Sequence, residues 1–387
     1  LPRRAARGFS LVELMVAMVL GLVLTYAMIN VYLSSKTAFR RQEQLNSIQQ
    51  NVRIAFEYLS GDARMVGHLG CFTGRATGFT NSLPAGNIDT NYALGVEGYE
   101  FTNATAGAYT LTGDNPANVT TAASWATNAV APGAIATIPV ATVGGSASGD
   151  GLTPGSDVLV IRTVASQPVR LTGDAAAGAA TLTVENSTGG KCSDGATDKV
   201  AGFCANSHGL VASCTASHVF SVASIATSTL TLSAALPSSA GSPSYAAAAT
   251  EVFPMQTIVY YVKRASSGAT TSLYRRIFDG NTANGLEQEL IEGVENLQLR
   301  YGRDTDATPD GIVNDYVTAS AVDDWSRVVA VRMSVLIRAA TPVEGDVAVP
   351  LTGRVNDVTV TYPTTGQRFD RRVFTTTVAV RNRIAYF

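Results

Sequence analysis

The stretch Gly8-Phe9-Ser10-Leu11-Val12-Glu13-Leu14-Met15 opens an almost purely apolar run that continues to Leu33. At ~1.5 Å per residue, a helix of this length crosses a hydrocarbon core of ~30 Å. Arg3, Arg4 and Arg7 stand just before it, and by the positive-inside tendency that end stays in the cytoplasm. One carboxylate, Glu13, interrupts the run within its first turns. An ionisable group in such a segment is costly and marks function by default. An ordinary signal anchor shares this length, but a cleavable secretory signal does not. Its apolar core is roughly 7–15 residues and its small-residue cut site follows the core, whereas Gly8 lies in front. The Arg3-Arg4 pair lacks the followers of a twin-arginine signal.

The run Arg7-Gly8-Phe9-Ser10-Leu11-Val12-Glu13-Leu14 resembles the class III signal of type IV prepilins and type II secretion pseudopilins. The resemblance implies that a prepilin peptidase cuts on the cytoplasmic side between Gly8 and Phe9 and N-methylates Phe9, so that residues 1–8 are a leader and the apolar helix is retained. It also implies an assembly role for Glu13. In a low-dielectric filament core an unpaired carboxylate is expensive, and a neighbouring subunit's terminal amine satisfies it while fixing the axial stagger. The alternative is a Glu13 that snorkels or stays protonated in lipid.

The helix is expected to continue beyond the membrane. No proline occurs between Phe9 and Leu83, and Gly21 is the only glycine before Gly61. Residues 9–38 read as the transmembrane or filament-core half. Over 39–66 the pattern turns amphipathic, with Leu45, Ile48, Val52, Phe56, Leu59, Ala63 and Val66 at steps of three and four, one face made to lie on something apolar. Major pilins carry a proline in the membrane half; here Gly21 and Asn30 are the only weak points.

The remainder, within a globular head spanning 39–387, is β-rich. Residues 71–155 are poor in periodicity and rich in Gly, Ala, Thr and Asn, and 102–150 read as a variable, surface-exposed loop region. From 156 onward strand signals recur: Ser156–Arg162, Ala180–Glu185, Leu210–Ser213, His218–Ser224 and Thr229–Leu232, and, after an insertion-like stretch at Ser233–Thr250, Thr257–Val262, Ser272–Phe278, Val294–Tyr301, Arg327–Ile337 and Arg372–Val380. One long helix followed by meandering strands predicts an α+β layer pair, a pilin-like fold with the helix packed on an antiparallel sheet. The net charge of −2 with 15% charged residues gives no sign of a nucleic-acid partner.

Patches of this second half resemble the minor pilins called PilW: Ser156–Arg162, the block from Cys214 to Phe220, Tyr260-Tyr261-Val262, Leu273-Tyr274-Arg275-Arg276, Glu292–Tyr301 and Arg372–Val378. The resemblance implies a low-copy subunit that helps start the pilus and sits near its tip. Its expected partners are other minor pilins, the major pilin and a large tip adhesin, with the chain held in the inner membrane, head in the periplasm, until extraction to the cell surface. Two alternatives stand beside it: a GspJ-like pseudopilin of type II secretion, and a tip adhesin that uses the pilin helix as an anchor.

No catalytic constellation is evident: the chain has no G-x-S-x-G, P-loop or H-E-x-x-H motif. The spacings Cys204-x3-His208 and Cys214-x3-His218 suit zinc, but exported thiols tend to oxidise. The four cysteines, Cys71, Cys192, Cys204 and Cys214, allow three connectivities. One of these closes a short loop between Cys192 and Cys204 and leaves Cys71 for Cys214, and sequence does not choose among them. No cofactor is required. Asp304, Asp306, Asp310 and Asp315, around the Asp310-Gly311 turn, form a candidate oxygen-ligated Ca2+ loop, although Ala307-Thr308-Pro309 departs from the EF-hand spacing. The alternative is a solvated acidic hairpin loop.

Overall fold

The computed structural model describes residues 10–72, 78–84, 86–102, 108–111, 124–128, 151–165, 167–186, 188–239, 241–268, 270–282, 284–343, 352–362 and 368–380. A single helix, Leu11–Arg64, of 54 residues dominates the N-terminal part and is about 80 Å long at the α-helical rise. It runs unbroken through both expected weak points. Its polar side chains bond back to the preceding turn, Thr25 Oγ1 to the Gly21 carbonyl at 2.7 Å and Asn30 Nδ2 to the Tyr26 carbonyl at 2.9 Å. Polar groups satisfied within the helix are what an apolar surrounding tolerates.

The helix changes partner midway. From Leu11 to Leu33 its large apolar side chains are exposed, and this segment is long and apolar enough to cross a membrane. Beyond it, Ile48, Val52, Ala55, Leu59 and Ala63 are buried, the three-and-four spacing of one face. Leu45 and Phe56 are only half-buried; Ala55, which lacks side-chain bulk, makes the close approach instead. The helix ends against the sheet it covers: Thr163 Oγ1 bonds to the Met65 carbonyl at 2.9 Å, and the Gly67 amide to the Arg162 carbonyl at 3.1 Å. Gly67 at φ 68° takes the left-handed turn that releases the chain from the helix.

Two sheets, the smaller antiparallel and the larger mostly so, share the core beneath the helix. The smaller runs in the order Asp315–Val317, Val294–Arg303, Val328–Arg338 and Arg371–Ala379. The larger is built on the long strand Glu251–Arg264, flanked by Val158–Val164 on one side and Thr271–Phe278 with Leu286–Glu292 on the other. Residues 155–157 clasp the two together. The Asp157 amide donates to the Leu297 carbonyl at 2.8 Å, the Leu299 amide donates to the Asp157 carboxylate at 2.8 Å, and the Asn296 and Gln298 side-chain amides both donate to the Gly155 carbonyl at 2.7 Å. Burial, with the charge of Glu100 adding to it, pushes the Asp157 carboxyl up to about 8.

Two expectations are corrected here. Within 71–155, the strand Val96–Phe101 is an inner strand between Trp125–Ala126 and Val158–Val164, and Tyr99 and Trp125 are fully buried. A strand buried on both faces lacks the alternation that reveals strands in sequence. Its Gly98 is required by packing, since a Cβ there would run into the Tyr301 hydroxyl. Much of the remaining 102–150 region lies outside the described residues. The stretch Ser233–Thr250 is no free insertion loop either: Leu236 and Tyr245 are buried in a second core with Leu182, Phe220 and Leu230. That core lies apart from the helix, so the head is more than one helix-on-sheet layer pair.

Candidate functional site

The first candidate site is the helix itself. Glu13 sits in its first turn and is exposed, where a carboxylate is favoured by the positive end of the helix dipole. Around it Leu11, Val12, Leu14, Met15 and Val16 form an apolar collar, each more than half exposed. A lone acidic group in such a collar is placed to receive a cation that arrives with another apolar surface. Gly8 and Phe9 lie outside the described residues.

A second feature, for which the sequence carried no signal, lies where the helix leaves the head. A groove of about 870 Å³ separates helix residues 34–47 from residues 340–343. Gln44 reaches across to Thr341, and Arg41 Nε stands 3.7 Å from a carboxylate oxygen of the buried Asp370. These contacts tie the helix to the head where it emerges.

The acidic loop closes around Asp304 alone. Its enclosed carboxylate accepts the backbone amides of Asp306 (3.2 Å), Asp310 (2.8 Å) and Gly311 (2.6 Å). Burial opposes its charge, but the three amides prevail and hold it below the usual carboxylate range. One oxygen each from Asp304, Asp306 and Asp310 comes within 4.8 Å of the others. Asp315 does not join them. It begins the strand paired with Val294–Arg303, and its carboxylate meets the Arg303 guanidinium at 2.6 Å. Ca2+ takes six to eight oxygens, so these three carboxylates would need backbone carbonyls or waters beside them to hold one, while the loop's own amides already order Asp304. Asp304→Ala should therefore lower the melting temperature of a soluble head beginning at Phe39, equally in calcium and in excess chelator. Asp306→Ala, which removes no such hub, should change it far less. A loss confined to calcium-containing buffer would instead make the cluster a cation site.

Cys71 is bonded to Cys214 and Cys192 to Cys204, which removes the thiolates that a zinc site would need. The neighbouring histidines have other company. His208 Nδ1 is 3.3 Å from the Tyr92 hydroxyl and His218 Nε2 is 3.1 Å from Ser82 Oγ. Burial lowers both imidazoles, His218 to about 4.

Helix and head thus define a membrane-anchored pilin type of subunit, an apolar stalk with an acidic first turn carrying an antiparallel head. Residues 259–382 match the family model of the type IV pilus-assembly protein W, and residues 3–27 match the prokaryotic N-terminal methylation motif. These matches, each over a part of the chain, support a PilW-like type IV pilin. No curated protein matches the chain. The first match covers the smaller sheet and, of the larger, the strands from Val259 onward, and the second covers the start of the stalk.

Proposed function

We propose that the chain is a minor pilin that helps to initiate a type IV pilus and sits near its tip. The observation that carries this reading is the coincidence of the two matched segments with the two halves of a pilin, stalk start and head sheet. In this reading residues 1–8 are removed by prepilin peptidase, Phe9 is methylated, and 9–38 rest in the inner membrane with residues 39–387 as a periplasmic head. The two disulfides suit an oxidising compartment. On extraction, Glu13 pairs with a neighbouring subunit's terminal amine, so the apolar stalk exchanges lipid for other pilin helices at little change in apolar burial. The partners are other minor pilins, the major pilin and a tip adhesin.

Deleting the gene should reduce surface pili and twitching and leave type II secretion intact. Restoring the deletion strain with Glu13→Gln should return the chain to the membrane but leave it depleted at least tenfold in sheared pili. A secretion defect with normal pili would favour the GspJ-like pseudopilin. Normal piliation with lost attachment would favour an anchored adhesin.

A further inference from the structure

A strand at a sheet edge offers main-chain donors and acceptors to any extended chain, and natural proteins guard such edges with charge, proline or brevity. Among the described residues, two edge strands are longer than four residues, Leu286–Glu292 and Arg371–Ala379. The first is guarded by Glu287, Glu289 and Glu292. The second carries no charge and no proline from Val373 to Val380.

The register shows which groups are open. Ala339 donates to the Asp370 carbonyl at 2.8 Å and Val380 donates to the Val329 carbonyl at 2.8 Å, with Ala330 opposite Ala379 and Arg338 opposite Arg371. The even-numbered residues therefore bond inward to Val328–Arg338, and Val373, Thr375, Thr377 and Ala379 turn their N–H and C=O groups outward. Thr375, Thr377 and Ala379 are exposed, and among the described residues no hydrogen bond reaches the outward groups of these four. The strand begins beside Asp370, which Arg41 meets where the helix leaves the head. The open edge thus starts close to where the helix leaves the head.

We infer that the outer edge of Arg371–Ala379 is a strand-addition site that receives an extended, uncharged, β-branched segment from another subunit of the pilus. Main-chain hydrogen bonds supply the attachment, and Thr375 and Thr377 offer the cross-strand pairs that such a segment matches. The inference rests on the minor-pilin reading above.

The test uses the full-length chain in its host. Proline at position 377 removes an outward amide without touching the inner ladder, and lysine there adds the missing guard; valine keeps both the donor and the β-branch. Thr377→Pro and Thr377→Lys should be inserted in the membrane and melt in detergent like the unaltered chain, yet fall at least tenfold in sheared pili, while Thr377→Val is retained. Equal recovery of all three variants would overturn the strand-addition site. Loss of the valine variant too would overturn it in favour of a side-chain contact. A dimer of the unaltered chain in detergent that Thr377→Pro abolishes would assign the edge to a second copy instead. If the unaltered chain is itself missing from pili, the minor-pilin reading fails and takes the edge proposal with it.

Discussion

Arg162→Ala should destabilise the head by about 3–5 kcal/mol, the usual cost of removing one partner from a buried ion pair. The Arg162 side chain is 1% exposed and that of Glu97 is fully enclosed, with Nη2 and Oε2 2.9 Å apart. The guanidinium does more than neutralise the carboxylate. Its Nε and Nη2 donate to the Ile88 carbonyl at 3.1 and 2.8 Å, and its Nη1 donates to the Leu94 carbonyl at 3.1 Å. One side chain thereby ties the inner strand Val96–Phe101, the connection before it and the strand Val158–Val164 together, next to the helix end. Alanine leaves Glu97 buried without its countercharge and two carbonyls without these donors. Urea unfolding of a soluble head beginning at Phe39 measures the loss. The pair Arg162→Met with Glu97→Leu should cost less than Arg162→Ala alone, because it removes both charges and restores apolar volume. An unchanged unfolding midpoint in Arg162→Ala would contradict the enclosure of this pair.

The second large effect is all-or-none. A bulky residue at position 8, such as Gly8→Val, should abolish the mature terminus at Phe9 and strand the chain in the membrane. Glycine permits a close approach to its backbone that a branched side chain blocks, so Gly8→Ala should retain part of the processing. Mass spectrometry of the chain from its native host reads the terminus directly: N-methyl-Phe9 in the unaltered chain, an intact leader in Gly8→Val. A leader left on the unaltered chain, or a cut beyond residue 25, would remove the prepilin reading. Glu13 sits only a few residues from this terminus, so an uncut chain also loses the amine that a neighbouring carboxylate would meet.

The stalk was legible because it rests on local pattern. An apolar run, the glycine and glutamate at fixed offsets, and a three-and-four repeat are all written within a few turns of one helix, and the structure carries that helix from Leu11 to Arg64. Strands rich in β-branched and aliphatic residues were legible for the same reason: Thr229–Leu232 agrees residue for residue, and Val328–Arg338 is displaced by one position. The tertiary structure decided what depends on residues far apart. Val96–Phe101 became an inner strand through pairing with residues some sixty positions away. Leu286–Glu292, rich in glutamate, became a strand because Thr271–Phe278 presents Arg275 and Arg276 to it. The cysteines had three pairings open to them, and folding brought Cys71 beside Cys214, a separation of 143 residues. Of the four acidic loop residues, three converge and Asp315 turns to Arg303, because the register opposite Val294–Arg303 sets its direction rather than its spacing. The same register leaves the outer side of Arg371–Ala379 open among the described residues. Helical periodicity is a property of neighbours in the chain, whereas sheet order and edges are fixed by long-range pairing, so the sequence alone determined the stalk and only the folded head determined where another chain can join it.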